Sequence, residues 1–243
     1  MFKYRSTATE LMDDLALSGE ALRRNLQELE IINHWLGGYR VVTDALARVL
    51  LAAGPASQPL TLADLGCGGG DTLRVMARWA KKKKIPLHLE GLDANAFMVA
   101  YATARCQAFP DIHIRQENIF SPSFQSRQFD VLVCSLFCHH FTDPELAAML
   151  RQLHRQTRAA LIINDLHRHP LAYYFIKWVT RLLPCSYLVR HDAPVSVLRA
   201  FKRADLEKLL HQAGLVSYTL RWVWPFRWQI IIPADGYDIF KNQ

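Results

Sequence analysis

A glycine-rich stretch bounded by carboxylates is the part of the sequence best suited to binding a charged ligand. It reads Asp64-Leu65-Gly66-Cys67-Gly68-Gly69-Gly70-Asp71 and continues a short apolar run that predicts a strand. Glycines allow unusual backbone angles and let a ligand approach the main chain closely. A dinucleotide-binding Gly-x-Gly-x-x-Gly pattern would place glycine where Asp71 stands, and carboxylates on both sides of the loop suit a diphosphate poorly. The loop therefore favours a cationic ligand.

A second acid follows the next predicted strand, Leu87–Leu92. Asp93 stands where a carboxylate can accept hydrogen bonds from both ribose hydroxyls of an adenosine ligand. The alternative is that Asp93 caps a helix that starts near Asn95, which is a common role for aspartate. Taken with the loop, Asp93 favours ribose binding. S-adenosylmethionine is a ligand that joins adenosine to a sulfonium and an ammonium group.

The pattern Asp64-x-Gly66-x-Gly68-x-Gly70 resembles the first motif of class I S-adenosylmethionine-dependent methyltransferases, and Asp93 matches the acid of their second motif. The resemblance covers about 57–233. It implies a seven-stranded sheet whose last strand pair is reversed, and an enzyme that uses S-adenosylmethionine and yields S-adenosylhomocysteine. The cofactor-binding residues that it implies in these two motifs are Asp64, Gly66, Cys67, Gly68, Gly70, Asp93 and Ala94.

Three further cofactor contacts are expected from the resemblance and one from chemistry. Asn118 and Ile119 should flank the adenine, although the family usually has aspartate where Asn118 stands, and the amide oxygen can still accept from the adenine amino group. Ser135 matches a position whose backbone approaches the methionine moiety. Arg40 in the lead segment has the guanidinium that suits the methionine carboxylate, and the alternative is an ordinary surface arginine.

Two clusters that follow predicted strands are candidates for activating the methyl acceptor. His139 and His140 follow the fourth strand, and Asp165 and His167 follow the fifth. Histidine titrates near neutrality and is the usual general base. A His-His-Phe run is common in the superfamily among members with different acceptors, so a structural role is the alternative for the histidine pair. No helical His-x-x-x-His or carboxylate cluster accompanies them, and we expect no metal.

The elements that must position these groups alternate between strand and helix after residue 59, which predicts a parallel, doubly wound α/β sheet. Trp224-Pro225-Phe226 separates two final strands, so the last should be antiparallel to its neighbours. Residues 1–52 look helical, with a break at Gly37-Gly38 and a linker at 54–59. We therefore expect a helical N-terminal cap over 1–54 and a methyltransferase domain over 55–243.

Predicted strands and helices, in chain order, are as follows. The strands are Thr61–Leu65, Leu87–Leu92, Ile112–Ile114, Phe129–Cys134, Ala160–Asn164, Val216–Val223 and Arg227–Ile232. The helices after the lead segment cover about 72–80, 95–108, 143–156, 170–182 and 203–212, the last of them ending at a Gly214 C-cap.

The region about 166–200 is expected to form an insertion over the acceptor pocket. Its stretch from Pro170 to Val179 is aromatic and apolar, which favours a lipophilic or aromatic small molecule such as a phenol, quinone or polyketide. The alternative is a crossover helix that faces the core without touching substrate. Arg190–Leu209 also resembles small-molecule O-methyltransferases of phenolic lipids or polyketides.

Charge and composition narrow the other possibilities. The net charge is +7, but part of the excess is Lys81–Lys84, which follows a predicted helix, where cations favour the helix dipole. We therefore do not expect nucleic acid as a partner. Weak contact with a membrane surface is left open. Five scattered cysteines and no export signal or membrane span lead us to expect a cytoplasmic protein.

The same residues disfavour three other functions on a similar fold. An RNA or protein methyltransferase is disfavoured because Ser135-Leu136-Phe137-Cys138 replaces an Asn/Asp-Pro-Pro-Tyr/Phe motif. A non-catalytic cofactor-binding protein is disfavoured by the intact glycine loop. A nicotinamide-dependent oxidoreductase is disfavoured by Asp64 and Asp71. The oligomeric state is left open.

Overall fold

A computed structural model describes residues 1–53 and 58–237 of the chain. Most of the expected linker, residues 54–57, lies outside the described residues. The helices are α1 Glu20–Trp35, α2 Gly38–Ala53, α3 Asp71–Lys83, α4 Ala96–Cys106, α5 Pro122–Gln125, α6 Asp143–Arg155, α7 Pro170–Leu182, α8 Tyr187–Arg199 and α9 Arg203–Gln212. The strands are β1 Leu60–Leu65, β2 Leu87–Asp93, β3 Ile112–Gln116, β4 Phe129–Ser135, β5 Thr157–Leu166, β6 Thr219–Val223 and β7 Arg227–Pro233.

The strands form one seven-stranded sheet in the order β3-β2-β1-β4-β5-β7-β6. Strands β1 to β5 pair in parallel, whereas β7 is antiparallel to both β5 and β6. The prediction of a doubly wound sheet that ends in an antiparallel hairpin is confirmed. Strand order reverses between β1 and β4, and in such sheets the ligand crevice lies at the carboxyl ends of the strands next to this point.

Apolar side chains bury both faces of the sheet. One face packs under α6 and α9 through residues such as Leu150 and Leu209, and the other packs under α2 and α3 through Leu46 and Met76. Helix α3 continues to Lys83, three residues beyond the predicted end, and leaves its lysines exposed. Gly214 has a φ of +76° and ends α9 as predicted.

Two sequence expectations about helices were wrong. Residues 1–19 contain only a 3-10 turn, Leu11–Asp13, because their backbone and side chains bond to α8 instead of to one another along a helix. The segment after Tyr187 forms helix α8, with Pro194 inside it. Helix α8 shows no apolar stripe because it buries side chains on several sides, and periodicity could not reveal it.

No helix among the described residues is long and apolar enough to cross a membrane.

Candidate active site

A cavity of about 1220 Å³ opens at the carboxyl ends of the strands. The glycine loop, the start of α4, the turn after β4, α7, α8 and the lead segment all contribute to its wall. The predicted site residues that line it are Arg40, Asp64, Gly66, Cys67, Gly68, Asp93, Ala94, Asn118, Ile119, Ser135, His139, His140 and His167. Gly70 and Asp165 are the predicted residues that do not.

The glycine loop is held in one shape by contacts that only glycine permits. Gly66 has a φ of +66°, and a Cβ atom there would come within 2.2 Å of the Phe137 ring. The amides of Gly66 and Cys67 both donate to the Leu92 carbonyl at the end of β2. Gly70 starts α3 with a φ of +68° and packs on Cys106, which explains why it lies outside the cavity. Its role is to shape the helix start.

Carboxylates cluster around the glycine loop, and one of them lacks a hydrogen-bond partner. Asp64 is buried, and its Oδ1 atom has no hydrogen-bond partner among the described residues. Burial raises the pKa of Asp64 well above its usual range, and the charges of Asp71 and Asp93 raise that pKa further. An uncompensated buried carboxylate is costly unless a cation pairs with it. The ammonium group of S-adenosylmethionine is such a cation, so the residues present fit this cofactor.

Asp93 links the loop to the start of α4. Its Oδ2 accepts from the Gly68 amide and its Oδ1 from the Asn95 amide, each at 2.9 Å. Burial raises the pKa of Asp93, against the lowering effect of these hydrogen bonds. Asn95, not Asp93, is the N-cap of α4, because its side chain accepts from Phe97 and Met98. The capping alternative for Asp93 is therefore wrong, and its carboxylate faces the cavity.

The residues expected around the adenine and methionine moieties lie on the same wall. Asn118 is exposed and its Oδ1 accepts from the Phe120 amide at 2.9 Å, which leaves one further lone pair for a ligand. Ile119 is buried. The hydroxyl of Ser135 accepts from Asn164 at 2.9 Å, which fixes the end of β4.

Two arginines face the cavity from opposite parts of the chain. No side chain among the described residues bonds the guanidinium of Arg40, which is exposed at the cavity wall. Arg227 at the start of β7 is buried, donates from Nη2 to Asn33, and has no partner for Nε or Nη1 within the described part of the chain. Burial lowers the pKa of Arg227 to about 10, so it remains charged at neutral pH. Both arginines have free donors for an anionic group of a ligand.

His139 is the centre of a buried hydrogen-bonded chain. Its Nδ1–H donates to Asp165 at 2.8 Å, and its Nε2 lies 3.6 Å from Oε1 of Glu10. Asp165 is fully buried behind the ring and also accepts from the amides of His139 and Leu166. Burial alone would lower the pKa of His139, but the Asp165 charge and hydrogen bond outweigh it, with Glu10 adding to them, and the net pKa shift is upward. Asp165 orients the imidazole and does not itself face the cavity.

His140 belongs to a neighbouring pair. Its Nδ1 lies 2.6 Å from Asp13 in the lead segment. Burial would raise the pKa of Asp13, yet hydrogen bonds from His140 and Arg199 hold it well below its usual range. Arg199 also donates to the carbonyls of His139 and His140, so the turn after β4 is tied to α8.

His167 has a different environment from the histidine pair. Trp222 donates its indole N–H to Nδ1 of His167 at 3.2 Å. Burial and the neighbouring positive charges of His169 and Arg168 lower the pKa of His167 to about 4. The ring is therefore neutral near pH 7, and because Nδ1 accepts, its proton is on Nε2.

Glu10, His139 and His140 have donor atoms within 4.8 Å of one another and could reach a metal ion. The guanidinium of Arg199 lies 3.7 Å from Oε1 of Glu10 and also pairs with Asp13. This fixed positive charge already balances nearby carboxylates and would repel a divalent ion. The cluster is therefore better suited to holding a proton than a metal.

Sequence reasoning missed Glu10, Asp13 and Arg227. The first two lie in a lead segment without periodicity, and nothing local indicates their contact with residues more than a hundred positions away. Arg227 looked like an ordinary residue at a strand start. A positive charge at the start of a largely apolar strand, Arg227–Ile232, was the available signal, since charged groups are rarely buried without a function or partner.

The comparisons with known proteins agree with this geometry. Residues 62–160 match a family model described as a methyltransferase domain. No curated protein sequence matches the chain. Among solved structures, the CMeT domain of the citrinin polyketide synthase is 16% identical with a TM-score of 0.56; the match covers 76% of this chain and 48% of that one. The chain thus spans about half the length of that structure.

Two other solved structures match over most of both chains. Magnesium protoporphyrin IX methyltransferase (ChlM) from Synechocystis PCC 6803 with bound SAH is 19% identical, with a TM-score of 0.51 and coverage of 81% of this chain and 83% of that one. The plantazolicin methyltransferase BamL, in complex with a triazolic desmethylPZN analog and SAH, is 12% identical, with a TM-score of 0.62 and coverage of 87% and 90%. At these identities the likeness establishes the fold.

The family match covers the glycine loop and Asp93, and the unpaired carboxylate of Asp64 suits a cationic ligand. Residues 62–160 therefore match a methyltransferase domain, within a fold shared with S-adenosylmethionine-dependent methyltransferases of known structure.

Proposed function

We propose that the chain is an S-adenosylmethionine-dependent methyltransferase that methylates a small lipophilic or aromatic acceptor at oxygen or carbon. The observation that carries this proposal is the apolar half of the cavity. Its volume exceeds the roughly 300–1,000 Å³ of a usual single-ligand pocket, which leaves room for donor and acceptor together. The apolar side chains that line this half are Leu166, Ala172, Phe175, Ile176, Val189 and Val197. A domain of a polyketide synthase and a plantazolicin methyltransferase share the fold, which is consistent with this proposal.

The donor is proposed to lie along the glycine loop. Asp64 would pair with its ammonium group, Asp93 would accept from the ribose hydroxyls, and Asn118 and Ile119 would flank the adenine. Arg227, with its unpaired Nε and Nη1, and the exposed Arg40 are the candidates to bind the methionine carboxylate. When bound, S-adenosylmethionine supplies a methyl carbon that its sulfonium already activates. The protein then has to align the acceptor and exclude water.

His139 is proposed to take the proton from the acceptor at Nε2. Asp165 fixes Nδ1 as the protonated nitrogen, which leaves the Nε2 lone pair free. The imidazolium that forms would lie between Asp165 and Glu10, and both carboxylates stabilise its charge. Because the base must be neutral to act and its pKa is raised, the rate should increase with pH through and above the usual histidine range.

His167 is proposed to orient the acceptor as a hydrogen-bond donor. Its Nδ1 already accepts from Trp222, and its lowered pKa makes it a weak base. The Nε2–H remains available to an acceptor oxygen. This assignment gives His167 and His139 different roles, although the sequence offered both as candidates for activating the acceptor.

The acceptor class can be tested with labelled S-adenosylmethionine. The protein is incubated with a lipid-soluble cell extract and, separately, with RNA and with a protein extract. Label should appear in the lipid-soluble fraction, and the His139→Gln variant should abolish it, whereas His88→Gln, an exposed histidine on β2, should not. Label only in RNA or only in protein would overturn the small-molecule proposal.

A further inference from the structure

Helix α7 is apolar on two opposite faces. Its inner face is buried through Ala172, Tyr173, Ile176 and Thr180. Its outer face carries apolar side chains at helical spacing and leaves them in solvent. These exposed side chains are Leu171, Tyr174, Phe175, Trp178 and Leu182, of which Trp178 is 60% and Leu182 78% exposed. A contiguous set of exposed apolar side chains marks a contact surface, and no other described residue covers this outer face.

The mouth of the cavity continues this face. Trp35 at the end of α1 and Trp224 in the β6–β7 turn both line the cavity and are 82% and 71% exposed. Phe175 of α7 lines the cavity too and is half exposed. Both elements lie close to α7, because Ile32 of α1 and Phe226 of the turn pack on the cluster that contains the inner face of α7. We call the outer face of α7, together with Trp35 and Trp224, the mouth surface.

The charged side chains of helix α7 and of the turn that follows it have one sign. No aspartate or glutamate occurs from Leu166 to His191. Lys177 and Arg181 stand on α7 beside the outer face, and exposed Arg190 donates to carbonyls at the C-terminal end of that helix. Tryptophan, tyrosine and basic residues around an apolar face are the composition of helices that lie in the interface of anionic membranes.

We propose that the mouth surface docks on a bilayer that contains anionic lipids. Leu182, Trp178 and their neighbours on the outer face enter the headgroup region, and Lys177 and Arg181 contact lipid phosphates. A second copy of this chain is a poorer occupant, because a symmetric contact would bring the same cations together and close the cavity mouth. Docking in this orientation presents the apolar half of the cavity to the membrane. A lipophilic acceptor would then pass from the bilayer into the cavity, and this last step rests on the proposed function.

The test is co-sedimentation with vesicles of phosphatidylcholine and phosphatidylglycerol, without donor or acceptor. Wild-type protein should sediment with these vesicles and only weakly with pure phosphatidylcholine. A Trp178→Ser/Leu182→Ser variant should partition at least about tenfold less, since it removes two apolar side chains from the contact. Lys177→Gln and Arg181→Gln should each lower partition about fivefold.

Matched variants at the opposite edge of the sheet are the controls. Val216→Ser removes an exposed apolar side chain, and Lys82→Gln with Lys83→Gln removes two exposed cations at the end of α3. These variants should sediment like wild type. Calorimetry with S-adenosylhomocysteine should give the same affinity for all variants, which shows that they are folded.

Two results would overturn the proposal. One is wild-type protein that stays in the supernatant, or a Trp178→Ser/Leu182→Ser variant that sediments as well as wild type. The other is a wild-type dimer in sedimentation velocity that this variant converts to monomer without any vesicle binding. Failure of the proposed function looks different, because vesicle binding would persist while no lipid-soluble acceptor is labelled in detergent solution.

Discussion

The two ends of the cavity, called the donor end and the acceptor end after their proposed roles, are built in different ways. The donor end is made of the β1–α3 loop and the end of β2, so its main parts are close in sequence and are fixed by backbone hydrogen bonds. The acceptor end brings together the turn after β4, the end of β5, helix α8 and the lead segment, and it is fixed by side-chain ion pairs. A local, backbone-built site can be read from a motif, whereas an assembled site cannot.

The largest expected effect is that of His139→Gln, which should affect kcat and leave donor-site binding unchanged. Loss of the proposed base should lower kcat by about 10²- to 10⁴-fold, because general-base catalysis contributes about that much. The affinity for S-adenosylhomocysteine should be unchanged in calorimetry, since His139 belongs to the acceptor end. An equal loss of kcat in His88→Gln, or an unchanged kcat in His139→Gln at saturating donor, would remove His139 from the mechanism.

Asp93→Ala should weaken binding at the donor end, which His139→Gln leaves unchanged. It removes the proposed ribose contacts and the bond that holds the Gly68 amide, so the Kd of S-adenosylhomocysteine should rise about 100-fold. Calorimetry measures this directly. Asp111→Ala, at an exposed aspartate before β3, is the matched control and should bind normally. Equal binding by Asp93→Ala and wild type would show that the donor lies elsewhere.

Asp64→Asn should weaken S-adenosylmethionine about tenfold by removing the carboxylate proposed to pair with its ammonium group. The pKa of Asp64 is raised in the free protein, and a bound cation favours the ionised form. Wild-type affinity should therefore increase with pH until Asp64 is fully ionised without ligand. Calorimetry at several pH values should show this slope in wild type and a flatter profile in the variant. Identical pH profiles would exclude Asp64 as the titrating group.

The smallest expected effect concerns the stability of the free protein. Because the pKa of Asp64 is higher in the folded than in the unfolded state, ionisation favours the unfolded chain as pH rises above the usual aspartate range. The Asp64→Asn variant has no carboxylate to ionise and does not lose stability in this way. Its free energy of unfolding should therefore exceed that of wild type by ~1 kcal/mol at neutral pH and by less in acid. Urea unfolding at both pH values measures the difference. A less stable variant at neutral pH would mean that the carboxylate has a partner.

The same contrast explains how much the sequence could predict. Alternation of apolar runs predicted all seven strands, and the Trp224–Phe226 link predicted the reversed β7, because both signals are local. The glycine loop and Asp93 were also recognisable, since their chemistry depends on neighbours in the chain. Helix α8 was missed because it is buried on several sides, and Glu10 because its partners come from distant segments.

The ties between the lead segment and α8 have a consequence for protein engineering. The carboxylate of Asp192 accepts from the amides of Leu11 and Met12, Ser196 donates to Glu10, and Arg199 pairs with Asp13. A chimera that takes helix α8 from a relative with another acceptor, but keeps its own first residues, would lose these matches. The first thirteen residues and the α7–α8 region should therefore be exchanged as one module when acceptor specificity is transferred.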